Sequence, residues 1–596
     1  MTDLNITKAE WKFVGIFSII IIAITCLPYL YGYFAAPENS EFMGHHFYNI
    51  RDTYTYLAWM QQAQEGHLLF KSLYTSEPQK AVLFHPLFLA MGNFARIFNF
   101  SNIFTFHLFR VFLGFIFLFT SYIFISCFLK DQFQRGICFL FLIFSSGFRW
   151  IFEYFFSHFA PTETLVSAET IETTTFHSLM ESPLNLASFT LMLLAFLLIL
   201  KAFERQNDNK TVIVSEAKQS RSNREKHGIA SSLPSVAPRN ESHKYAILAG
   251  FSLFLISLIH TYDIFIVLLV GGLYVFFKII PLLTSSPKRR KILILLKNFG
   301  IMILILIPGI LYNYYVINHN QAFSEWAKTS GILPAFSLLD YIAGFGIIFF
   351  LALIGLLKII KNKNQEYLFI FVWIIASILL VSQPIIHFQR KFTDGLHIAI
   401  VILATVGLFF LLDYFKKWWK QKGFSFSFNK VKALVLTIII SFTSISNILT
   451  VTRDIDFYKY VIQNPKEIFR MPPVYLDKSF LETIHWLKEN TPSSQIILSD
   501  PMVSNLIPGI SGNTVFVGYT DQTMDYSQKK KQLKWFIEKS NQNEKKYIFL
   551  KENNISYFLY SPDFFSNYNL ENFHPEKMEY LKPVYKNEKA VIYKVL

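Results

Sequence analysis

The sequence predicts a polytopic α-helical membrane protein that ends in an α/β domain outside the bilayer. Three observations carry the prediction. Only 16% of the 596 residues are charged, while 52% are hydrophobic and 17% aromatic, where a soluble domain carries about 25% charge; the mean hydropathy is +0.34. The apolar residues come in uninterrupted runs near the ~20 residues that a helix needs to cross a bilayer. Beyond about residue 455 that pattern stops, and short strand-like and helix-like segments alternate.

The runs place spans at about 12–33, 103–129, 136–155, 184–203, 244–261, 263–281, 293–315, 335–359, 366–383, 397–414 and 432–451, eleven in all. Each is expected to be a helix, because backbone polar groups in lipid have no water partner. No small-residue cleavage site follows the first run, so it is expected to stay as a span. Cys26, Cys127 and Cys138 fall in or beside apolar runs and show no metal or disulfide spacing.

The formal charge of +15 does not point to nucleic acid, because the excess lies in short loops that set orientation. One set of loops holds Lys130 and Arg135, Lys201 and Arg205, Lys288 to Lys291, Lys358 to Lys363, and Lys416 to Lys432. The other set is poorer, and its 156–182 loop has four acids and no Lys or Arg. The basic set is expected in the cytoplasm, with the N-terminus inside and the C-terminal domain outside. The polar, Ser-rich 205–243 segment has too few apolar residues to form a core and is expected to be a disordered cytoplasmic insertion.

Two regions on the expected outer side lack spans. The 34–102 loop holds two short amphipathic stretches, about 52–65 and 84–98, suited to lying along a membrane surface. The tail from 455 reads as the helices FLETIHWLKEN and KKKQLKWFIEKS among the strands SQIILSD, NTVFVGY, ISYFLYSP and AVIYKVL. His485, Asp500, Asp521 and Asp525 are scattered through it and suggest no catalytic set; an acceptor-binding or stabilising lid is the expectation.

Ionisable groups at span ends are the informative ones, since charge near lipid is costly unless used. Asp52 opens the first surface stretch, between Arg51 and the aromatic Tyr54 and Tyr56. It suits either a helix start or a general base at the membrane face. LIHTYDIF supplies His260, Tyr262 and Asp263 in a tight turn between spans. HFQRKFTDGLHIAI supplies His387, Arg390, Lys391, Asp394 and His397; two adjacent cations on a face otherwise poor in them suit a phosphate. The 156–182 loop adds Glu163, Glu169, Glu172, His177 and Glu181, which offer ligands to a divalent cation without a spacing such as HExxH.

With these stretches in place, FMGHHFYNIRDTYTYLAWMQQAQEGHLLFKSLYTSEP, LIHTYDIF, HFQRKFTDGLHIAI and WLKENTPSSQIILSDPMVSNLIPGISGNTVFVGY, the chain outside 205–243 resembles the membrane-integral glycosyltransferases of the C-type (GT-C) fold. Within that superfamily it is similar to bacterial members of the protein mannosyltransferase and lipid A aminoarabinose transferase-like group. The resemblance is one of layout and implies a GT-C-like membrane domain over 1–454 and an extracytoplasmic α/β domain over 455–596. It implies an inverting glycosyltransferase that moves a sugar from a polyprenyl-phosphate donor to an envelope glycan, lipid or protein. By position, Asp52 corresponds to the acid that takes the acceptor's proton, and Arg390, with Lys391 and His387, to the cations that hold the donor phosphate. The relatives that hold a metal use acids from two outer loops; here RDTYTY has one acid, Glu169 or Glu172 would be the second, and a metal-independent mechanism is favoured. A lipid-linked glycan flippase is the alternative, disfavoured by the absence of an internal repeat; a non-catalytic envelope-assembly protein is the other.

Overall fold

A computed structural model describes the chain apart from residues 1–4, 46–49, 152–169, 171–173, 205–241, 284–288, 330–334, 387, 425–426, 465–472 and 541. The expected insertion thus lies, but for its last two residues, outside the described residues. Among the described residues nine helices are long and apolar enough to span a bilayer, ten if one bent pair is a single span. The protein is a multi-pass membrane protein, and the expectation of eleven straight spans is corrected at two places. The run expected at 136–155 is helical over Gln132–Phe144, 13 residues closed by an extended Ser145. The run expected at 335–359 is two helices, Leu338–Phe345 and Ile347–Lys361, bent by 101°. The break is at Gly346, whose φ of 57° is in the left-handed region that glycine enters without a Cβ penalty. The last span is longer than expected: its helices run on to Gln463.

Spanning helices bury one side on each other and leave the other apolar. Leu293, Leu304 and Leu311 on the helix Arg289–His319 are exposed, as lipid-facing residues are. Inside the bundle Phe124, Phe196, Phe369 and Trp373 pack together, with ring centroids 4.7–6.3 Å apart and all of these pairs but the tilted Phe124–Phe196 edge to face.

The 34–102 loop is ordered by two helices, Ile50–Gln64 and Pro86–Phe98. They cross so closely that a Cβ on Gly92 would run into the Met60 carbonyl. The tail forms a five-stranded mixed sheet. With β1 (Ser40–Phe42) and β2 (Tyr475–Asp477) set apart, its strands are β3 (Ile496–Leu498), β4 (Thr514–Val515), β5 (Ile555–Tyr560), β6 (Leu581–Lys586) and β7 (Val591–Val595), in the order β4-β3-β5-β7-β6. β3 is parallel to β4 and β5; β7 is antiparallel to β5 and β6. β6 and the helix Asn543–Glu552 are additions to the elements read from sequence.

Loop and tail share one core. Tyr54, Ala58, Leu73 and Tyr74 are buried in the same cluster as Phe480, Ile484, Ile497, Val515 and Ile592. β1 pairs antiparallel with β2, and Val515 N donates to Leu73 O at 2.8 Å. Gly509 lets the short helix Ile507–Ser511 approach the first surface helix, since a Cβ there would sit 3.0 Å from Leu57 Cβ.

Candidate active site

Four segments meet where the surface helix Ile50–Gln64 faces the tail. Asp52 sits in the first turn of that helix, where the dipole favours an anion. The hydroxyl of Tyr519 lies 3.3 Å from Asp52 Oδ1 and 3.2 Å from Asp521 Oδ2. From the 3₁₀ turn Gln389–Thr393, Lys391 and Arg390 act on the Asp52 charge. From the turn between two spans, Tyr262 is in the fields of Lys391, Asp52 and Asp394.

Burial pushes the Asp52 carboxyl above the ordinary carboxylate range. Lys391, the Tyr519 hydroxyl and Arg390 pull it down, the Asp521 charge adds to the rise, and the net direction is up. Burial and the two carboxylates raise the Tyr519 hydroxyl further, so it stays neutral and works as a donor. Asp52 is therefore a carboxylate with a stronger than usual hold on a proton, beside two cations.

The tail segment is held firmly. Gln522 Nε2 donates to Thr55 Oγ1 at 2.9 Å, Thr523 Oγ1 to Tyr74 O at 2.7 Å, and Met524 N to Thr75 Oγ1 at 3.2 Å. Lys529 Nζ reaches Glu77 Oε1 at 2.6 Å. The Tyr519 ring packs edge-on against Tyr74, centroids 6.1 Å apart.

Beneath this set lies a buried polar cluster. His260 Nδ1 is 3.0 Å from Asp263 Oδ2 and 3.8 Å from Asp394 Oδ2, and Ser188 Oγ donates to Asp263. Among the described residues these three are the one group that could hold a metal ion, with ligand atoms within 4.8 Å of one another. The hydrogen bond between His260 and Asp263 already holds the pair together without one. Gly395, with φ of 72°, allows the chain to turn from Asp394 into the next span, where a Cβ would strike Met192.

The three stretches singled out in the sequence thus converge. Tyr56 stacks on Phe88 (4.6 Å, 18°) and feels the Asp52 charge. Tyr54 faces the shared core, its hydroxyl without a partner among the described residues. Arg51 is in the helix, but its side chain lies outside the described residues, as do Glu163, Glu169, Glu172 and His387. His177 and Glu181 are buried on the helix Thr175–Glu181, with His177 Nδ1 2.7 Å from Thr174 Oγ1. His397 is buried in the bundle between Ser145 Oγ (3.1 Å) and Thr175 Oγ1 (3.2 Å). A cavity of about 680 Å³ near Gln79 and Asn320 includes none of these residues.

One expectation is corrected: the tail does contribute to this set, through Tyr519 and Asp521. Sequence reading passed over Tyr519 and left Asp521 among scattered acids, because in a soluble domain a polar residue in a turn carries no penalty that would mark it. The available signal was GYTDQTMD, a dense polar and aromatic run directly after the buried strand NTVFV.

No protein-family model and no curated protein matches the chain. Solved structures do. The oligosaccharyltransferase of Archaeoglobus fulgidus, tethered to an acceptor peptide containing the NVT sequon, is similar over 91% of this chain and 69% of its own, at 12% identity and a TM-score of 0.53. The same archaeal enzyme, AglB, in complex with an inhibitory peptide and a dolichol-phosphate aligns over the same shares at 11% identity and a TM-score of 0.50. ArnT from Cupriavidus metallidurans covers 98% of both chains at 10% identity and a TM-score of 0.49. The fold assignment rests on the first two: the chain shares the fold of the archaeal oligosaccharyltransferase.

Proposed function

We propose that the protein is a glycosyltransferase that moves a sugar from a polyprenyl-phosphate donor to an envelope glycan, lipid or protein at the outer face of the cytoplasmic membrane. The observation that carries the reading is the meeting of a proton-holding carboxylate, Asp52, with two cations, Lys391 and Arg390, beside a surface helix. Asp52 takes the proton of the acceptor nucleophile. The acceptor oxygen or nitrogen forms its bond to the anomeric carbon as the bond to the donor phosphate breaks, with inversion. Negative charge grows on the leaving phosphate, and Arg390 and Lys391 stabilise it; fixed cations in a partly dry site are effective because they need no reorganisation. The polyprenyl chain lies in lipid beside the spans. The fold supports the reading, since AglB of the same fold was solved with a dolichol-phosphate. The charge distribution of the loops supports an extracytoplasmic site and C-terminal domain.

The chemistry as proposed needs no metal, because Arg390 and Lys391 would supply the positive charge that the leaving phosphate requires. Membranes expressing the protein, supplied with a panel of radiolabelled undecaprenyl-phosphate sugars, test the reading. Transfer of label to endogenous glycan, lipid or protein is expected in wild type, lost in Asp52→Asn at equal protein level, and unchanged by EDTA. Equal transfer in both proteins would remove Asp52 as the base.

A further inference from the structure

Tyr519 places one hydroxyl proton between two carboxylates, at 3.3 Å from Asp52 and 3.2 Å from Asp521. We propose that Asp52, Tyr519 and Asp521 act as one proton-accepting unit, through which the C-terminal domain sets the basicity of Asp52. The inference rests on Asp52 being the base and adds who controls it.

A hydroxyl has one proton to donate and lone pairs to accept with. While Asp52 is ionised, the Tyr519 proton is contested by two anions. Once Asp52 has taken a proton, the conflict ends. Asp52 donates its new O–H to the Tyr519 oxygen, and Tyr519 donates its own proton to Asp521. The chain of hydrogen bonds is then complete, and charge remains only on Asp521, which is partly exposed to solvent. No proton leaves the unit and no bond other than hydrogen bonds changes. The unit favours the protonated base, which is the form that the transfer step produces.

The position of the hydroxyl is fixed from several sides. The Tyr519 side chain is 5% exposed. The carbonyl of Tyr519 accepts from Gln522 N at 3.1 Å and Thr523 N at 2.9 Å, and Thr523 and Gln522 are in turn bonded to the loop that carries Asp52. Among the described residues, the other charged or titratable groups in electrostatic contact with Asp52 are Lys391 and Arg390 from the 3₁₀ turn, Tyr262 from the turn between spans and Tyr56 on its own helix.

Infrared titration of the full chain in nanodiscs of phosphatidylethanolamine and phosphatidylglycerol tests the unit without substrate. The protonated-carboxyl band of Asp52 is the one lost in Asp52→Asn. Asp521→Asn is expected to lower its midpoint by about 1 pH unit, and in a Tyr519→Phe background the same substitution is expected to move it by less than half as much. Tyr519→Phe keeps the ring that packs on Tyr74, and thermal unfolding checks that each variant is folded. An equal shift with and without the hydroxyl would mean a field through space and would overturn the unit, as would no shift at all. Loss of transfer in Asp52→Asn with no coupling refutes the unit alone. Coupling with full transfer in Asp52→Asn refutes the base and leaves the unit.

Discussion

Two polar clusters sit near opposite ends of the first span, and they are built differently. Near its start, Glu10 is closed on every side: Arg135 Nε at 3.0 Å, the Tyr122 hydroxyl at 2.7 Å, and Thr7 through its backbone N and its hydroxyl at 2.9 Å each. One acid meets one base, each carboxylate oxygen has its partners, and the groups come from adjoining helices. Beyond its other end, Asp52 and Asp521 compete for one hydroxyl, two cations stand by, and the side chains come from four distant segments. An acid held this way, by an ion pair and three hydrogen bonds, is a structural joint. A set in which two acids share one hydroxyl beside two cations is suited to handling a proton and an anion.

The comparison breaks outright if the two clusters respond alike to mutation. Asp52→Asn should lower transfer by about 10²–10⁴-fold, the usual worth of general base catalysis, without loss of folded protein. Arg135→Met should do the reverse: it leaves Glu10 buried and unpaired, a loss of ~3–5 kcal/mol, seen as reduced thermal stability, while the folded fraction keeps its turnover. Arg390→Ala should cost transfer about 10-fold or more, the scale of a lost hydrogen bond to a charged group, and Arg390→Lys should recover it only in part, because Lys cannot grip two oxygens. Full recovery by Lys would mean that charge alone suffices there.

Acid sharpens the contrast. Asp52 must be ionised to accept a proton, and its folded-state affinity for the proton is raised. The acidic limb of the pH–rate profile should therefore lie above the ordinary carboxylate value of about 4, and transfer should rise with pH through it. Asp500 provides a smaller check inside the tail. It is buried, accepts from Met502 N at 2.9 Å and the Tyr568 hydroxyl at 3.1 Å, and burial pushes its carboxyl up to about 6. The neutral form favours the fold, so the stability it adds is full below its unfolded value and lost as pH rises through about 6. Asp500→Asn should stabilise the chain at pH 8 by on the order of 1–2 kcal/mol and change little at pH 4.

Most of the membrane architecture was legible, because a span must be apolar for ~20 residues and little else is. The bend at Gly346 was not, since AGFG is as apolar as its surroundings and hydropathy does not register a change of φ. Asp52, His260, Asp263 and Arg390 were legible for the same reason that the spans were: ionisable groups stand out against lipid-facing sequence. Their meeting was not, because nothing local in LIHTYDIF says which loop it will face. Tyr519 was the hardest to see, lying 467 positions from the acid it touches in a domain where polarity is ordinary.

The shared core of loop and tail has a consequence for biosynthesis. The helix that carries Asp52 emerges early, before the tail that packs against it. Until β3 to β7 are complete, Tyr54, Leu73 and Tyr74 lack their partners from the tail and Asp52 lacks the Tyr519 hydroxyl. The set around Asp52 is therefore assembled only once the tail has folded and brought Tyr519 beside the carboxylate.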